Sequence, residues 1–161
     1  MDYESRIRDI YRDAVRRVRD PNAVRVLQAL ANEEQYHLDF LQERLDEWTA
    51  TGQISAENLD TMIPPADSIA RAADRLRSEM DAGKPGYAPE LEALSNAIDV
   101  ETETGEFYRK MSEQLEGPAK SLFARFVEIE QGHLALVRAE FDSVSGMGFW
   151  FDVPEFDLEA G

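Results

Sequence analysis

Glu34-Gln35-Tyr36-His37-Leu38 and, 96 residues further along, Glu130-Gln131-Gly132-His133-Leu134 are one five-residue phrase written twice, and together they use both histidines of the chain. In each copy a glutamate precedes a histidine by three residues, the spacing that projects two side chains from one face of an α-helix. The neighbours show which face it is. Val24, Leu27, Leu30, Leu41, Leu45 and Trp48 recur in steps of three and four around the first copy. Leu122, Phe126, Ile129, Val137, Phe141 and Val144 do the same around the second. A stripe that should be core therefore carries a carboxylate and an imidazole, twice.

The helices preceding each copy also repeat. Glu4 is followed by Tyr11, and Glu101 by Tyr108, in both cases two helical turns later. Glu4 is in register with Ile7, Tyr11 and Val18; Glu101 is in register with Leu94, Ile98 and Tyr108. The Glu/Tyr pairs are 97 residues apart and the Glu/His pairs 96, which identifies an internal duplication. Each half offers one inward glutamate from its first helix and one Glu-x-x-His from its second.

Outward from these motifs, the pattern predicts four long helices, over residues 2–19, 21–51, 88–116 and 117–143. Asp20-Pro21 and Gly117-Pro118 punctuate them as stop and restart. Between the second and third lies a stretch of different character, residues 52–86, containing Gly52, Pro64, Pro65, Gly83, Pro85 and Gly86, with room for a shorter helix over 66–81. A crossover of that length is what a bundle needs when its second and third helices run parallel. The expectation is an all-α four-helix bundle over residues 1–144, without strands. Residues 145–161 follow as an aromatic and acidic tail, containing Gly-Phe-Trp-Phe-Asp-Val-Pro-Glu-Phe, expected to pack back on the bundle or on a second subunit.

Bulk properties narrow the function. The chain of 161 residues is the size of one domain, 43% hydrophobic and 31% charged, an ordinary globular balance. A formal charge of −16 argues against nucleic acid and against anionic membrane surfaces as partners. There is no cysteine, which removes disulfides, zinc–thiolate sites, iron–sulfur clusters and thiol nucleophiles. No apolar run is long enough to span a bilayer, and the polar start of the chain does not read as a signal peptide, so a soluble cytoplasmic protein is expected.

Burying an ionised carboxylate alone costs several kcal/mol, and four together repel one another. Two divalent cations would bring four positive charges against Glu4, Glu34, Glu101 and Glu130, with His37 and His133 completing the shell as neutral ligands. Oxygen and nitrogen donors without thiolate suit iron or manganese better than structural zinc. Tyr11 and Tyr108 are expected to fill core and to hydrogen-bond ligand carboxylates, with redox participation as the alternative. Glu33, Glu103, Glu106 and Glu128 lie off the inward stripe and are expected to face solvent.

In these residues the sequence resembles the rubrerythrin branch of the ferritin-like superfamily. The likeness covers the four long helices and is carried by Glu4, Glu34-x-x-His37, Glu101 and Glu130-x-x-His133. The resemblance implies a ferritin-like bundle holding two iron ions per subunit, with Glu34 and Glu130 bridging, Glu4 and Glu101 terminal, and His37 and His133 each on one iron. Two departures stand out. Rubrerythrins carry a cysteine-ligated rubredoxin domain, whereas this sequence has no cysteine, so electrons must come from an external donor or from ferrous iron itself. Rubrerythrins also place a further glutamate three residues after the first one on the third helix; here that position is Thr104, and its counterpart in the first helix is Ile7. The expected function is a di-iron oxidoreductase reducing hydrogen peroxide or O₂ in oxidative-stress protection, in a homodimer paired through helix faces. A ferroxidase feeding iron storage and a metal-stabilised, non-catalytic binding module are the alternatives.

Overall fold

The computed structural model describes residues 2–55, 59–79, 88–148 and 150–151, and its regular structure there is entirely α-helical. Five helices follow in order: α1 Asp2–Val15, α2 Pro21–Thr51, α3 Ala66–Glu79, α4 Ala88–Gln114 and α5 Gly117–Met147. Helix α1 packs on α2, α4 on α5, α1 against α4, and α3 along α5. None of these helices is long and apolar enough to cross a membrane.

Two helix ends differ from the periodicity by about a full turn. Helix α1 stops at Val15, and the Arg17 and Val18 amides close a turn on the Ala14 carbonyl at 2.9 and 3.0 Å. The cause lies downstream. A residue before proline is driven into extended backbone, and Asp20 has φ −68° and ψ 129°. From there its carboxylate caps α2, accepting from the amides of Asn22 at 2.7 Å and Ala23 at 3.4 Å. At the other end α5 runs on to Met147, into the stretch read as tail. Gly148, at φ 78°, then takes the left-handed turn that would strain any other residue.

The turn sends Trp150 and Phe151 back into the main apolar core, where they are 2% and 1% exposed. The Trp150 indole N–H donates to Glu90 at 3.2 Å, its carbonyl accepts from Asn22 at 2.9 Å, and the Phe151 amide donates to Glu140 at 3.1 Å. These bonds join the starts of α2 and α4 to the end of α5. The rest of the tail, residue 149 and residues 152–161, lies outside the described residues.

Leu45 and Trp48 depart from the expected inward stripe, being 40% and 55% exposed. Helix α2 has 31 residues and α1 only 14, so at 1.5 Å per residue α2 extends roughly 25 Å further than its partner. Its last turns therefore carry an apolar stripe beyond α1.

Replacing Trp150 by Ala is expected to destabilise the protein by about 3–5 kcal/mol, measured by urea denaturation. A change below ~1 kcal/mol would show that the segment after Gly148 is not part of the core.

Candidate metal centre

Six side chains meet in the interior: Glu4 from α1, Glu34 and His37 from α2, Glu101 from α4, and Glu130 and His133 from α5. Each is at most 1% exposed. The two imidazoles stack in parallel, with centroids 5.3 Å apart and planes 8° from coincidence. Both turn Nδ1 toward the carboxylates. His37 Nδ1 lies 3.2 Å from Glu4 Oε2, 3.2 Å from Glu34 Oε2 and 3.5 Å from Glu130 Oε1. His133 Nδ1 lies 2.8 Å from Glu34 Oε1 and 3.8 Å from both Glu101 Oε1 and Glu130 Oε2.

The donors form two overlapping groups. Glu4, Glu34, His37 and Glu130 make one; Glu34, Glu101, Glu130 and His133 make the other, and in each the ligand atoms lie within 4.8 Å of one another. Glu34 and Glu130 belong to both. Among the described residues, both oxygens of Glu130 and Oε2 of Glu101 are buried without a hydrogen-bond partner. Each such atom costs about 1–3 kcal/mol, more when charged. Cations among the carboxylates remove that cost, and the oxygen-rich, thiolate-free donor set fits iron or manganese.

The tyrosines act across the duplication. Tyr11 of the first half donates to Glu101 of the second, and Tyr108 of the second donates to Glu4 of the first. Burial beside these carboxylates raises both phenols above their ordinary value, so they remain protonated donors. Thr104 and Ile7 are fully buried, and Thr104 donates its hydroxyl to the Val100 carbonyl at 2.9 Å.

Glu33 corrects the sequence reading. It is only 7% exposed, not solvent-facing. Its carboxylate accepts from the Thr61 hydroxyl at 2.7 Å and the Met62 amide at 3.0 Å, and Oε2 lies 3.9 Å from His133 Nε2. With His37 and His133 it forms a third potential ligand group, on the outer side of the imidazoles. The crossover around residues 59–65 covers a face of α2 that the bundle alone would leave to water. A signal was present: Val26, Leu30, Glu33, His37 and Phe40 are themselves spaced by four and three. The same strap explains Gly132, where an added Cβ would come within 3.0 Å of the Pro64 carbonyl oxygen. By contrast Glu103, Glu106 and Glu128 are exposed, with Glu103 paired to Arg6 at 2.8 Å and Glu128 to Arg125 at 3.0 Å.

Where no cation lies between them, these groups share protons instead. Burial, reinforced by the charge of Glu34, pushes Glu4 and Glu101 up to about 7 against the pull of His37 and His133. Burial together with Glu34, Glu4 and Glu101 holds Glu130 well above the carboxylate range. Burial also opposes ionisation of Glu34, but His133 and His37 outweigh it and hold that carboxyl far below its usual value. Burial disfavours a charged His37, yet Glu34 and Glu4 raise it to about 9; Glu34 and Glu33 raise His133 likewise.

Loading with divalent cations should therefore release roughly four protons per chain at neutral pH, read as the buffer dependence of the calorimetric heat. The stability of the metal-free protein should also fall with rising pH. Glu4 and Glu101 contribute stability that is full below about 4.5 and lost through about 7; the His37 contribution is full below about 6.5 and lost through about 9. Scanning calorimetry from pH 5 to 9 should show this decline, and bound metal should abolish it.

Comparison with known proteins supplies no relative: no family model matches the chain, no curated protein matches its sequence, and no solved structure matches its fold.

Proposed function

We propose that this chain is a rubrerythrin-like protein, a ferritin-like four-helix bundle that holds two iron ions, with manganese as the alternative metal, and reduces hydrogen peroxide or O₂ with electrons from a separate donor. The observation that carries this reading is the pair of four-residue ligand groups sharing Glu34 and Glu130. On it, Glu34 and Glu130, which belong to both groups, would be shared between the ions, Glu4 and His37 would hold one, and Glu101 and His133 the other. Iron bound there supplies, by cycling between ferrous and ferric states, the two electrons that with two protons convert hydrogen peroxide to water.

The protein's own groups define the conditions. Tyr11 and Tyr108 fix the orientation of Glu101 and Glu4 by donating to one oxygen of each. Ile7, Thr104 and Phe126, all fully buried, exclude water around the ligands. With Thr104 and Ile7 where rubrerythrins have or could have a further carboxylate, the inner ligand set stays at six. On this reading electrons come from a separate donor, since these 161 residues contain no cysteine to ligate an iron of a rubredoxin type.

Elemental analysis of iron-reconstituted protein should give about two irons per chain, and iron should raise the melting temperature. His37→Ala and Glu130→Ala should each reduce the iron content, whereas Glu103→Ala, at an exposed ion pair, should not. The ferrous protein should be oxidised stoichiometrically by peroxide and restored by an added reductant. Ferric iron leaving the protein on oxidation would instead indicate a ferroxidase; failure to bind iron would leave a non-catalytic binding module.

A further inference from the structure

The duplication is broken at a seam beside the cluster, between α4 and α5. The 97-residue shift that relates Glu4 to Glu101 also relates Arg8 to Gly105. On the α1/α2 side Arg8 is largely sheltered, with its side chain 19% exposed, and its Nη1 donates to Gln35 Oε1 at 3.1 Å. Arg12 Nη2 reaches the same oxygen at 3.2 Å. Two arginines thus bridge the seam outside Glu4 and Glu34. On the α4/α5 side Gly105 puts no side chain into the equivalent seam, and a Cβ built there would point toward Glu130, 3.9 Å from its Cβ.

A cavity of about 220 Å³ occupies that seam. Glu101 and Glu130, which belong to the ligand groups, are in its wall together with Gly105. Glu106, Arg109 and Arg138, all exposed, also line it. Outside Glu101 and Glu130, the exposed mouth sets Arg109 and Arg138 against the one carboxylate of Glu106, a locally positive approach in a chain with 17 cationic and 33 acidic residues. Such an approach repels a dication and admits neutral or singly anionic molecules. A glycine in the middle of a long helix weakens that helix, so the opening is retained against the local preference for a side chain.

Resting on the metal centre proposed above, we propose that the gap at Gly105 is the route by which a small neutral or singly anionic oxidant reaches the ions. The path runs between α4 and α5, past Arg109 and Arg138, to Glu130. A cavity of that volume admits peroxide, O₂ or a triatomic anion.

The test uses azide on the iron-loaded ferric protein and nitric oxide on the ferrous protein, each followed optically by stopped flow, with iron content measured for every variant. Gly105→Leu should keep its iron and form the azide adduct roughly tenfold or more slowly, with Gly105→Ala between it and the parent. Arg138→Glu should slow azide and leave the neutral probe unaffected. Should Gly105→Leu lose iron, Val127→Phe fills the same cavity from α5 and the same comparison applies. An unchanged azide rate in a filled, fully iron-loaded variant overturns the route while leaving the metal centre standing. A parent protein that takes up no iron overturns both.

Discussion

Four carboxylates and two imidazoles closed off from water are the constraint around which the rest of this molecule is arranged. A low-dielectric interior tolerates such a group only if its net charge is near zero. Cations are one way to reach that state; protons are another. Burial favours protons on Glu4, Glu101 and Glu130, while Glu34 and Glu33 stay ionised beside the two imidazoliums, which leaves the metal-free centre close to neutral. The fold is thus compatible with both fillings, and pH sets the competition between them.

The two halves match at the ligands and diverge where the single crossover touches one side. Under the 96-residue shift Glu33 corresponds to Ile129 and Tyr36 to Gly132. Glu33 accepts two hydrogen bonds from the strap, and Gly132 leaves space for the Pro64 carbonyl. Tyr36, beside Thr61, Met62 and Ile63 of the same strap, keeps its ring at the surface and is 45% exposed. A duplicated chain with one crossover cannot be symmetric at these positions, because a single irregular strap meets α2 and α5 with different residues.

Much of this was readable in advance. The stripes of apolar residues located the helices, and polar residues on those stripes singled out the six that the fold gathers into one cluster. Tyr11 and Tyr108 were legible as donors to ligand carboxylates, though not which glutamate each would choose. What escaped has a common cause. Periodicity describes a helix against its bundle partners, so it missed Glu33, which is buried by an irregular segment, and it overrated Leu45 and Trp48, where α2 outruns its neighbour. Helix ends escaped for a local reason: the backbone demanded by Asp20-Pro21 overrode the amphipathic pattern before it.

The crossed tyrosine bonds bear on the order of folding. They join residues 90 and 104 positions apart, whereas each helical hairpin closes over a short turn. Contacts that close large loops form late, after local ones have lowered the entropy of closure. Each hairpin then acquires its two-helix form before its own inner glutamate has a hydroxyl to receive it. Full desolvation of Glu4 and Glu101 is deferred to the docking of the two halves, when the two tyrosine donors arrive together. The chain avoids an intermediate with charge stranded in a half-built core, and the cluster of four carboxylates and two imidazoles is closed in one step.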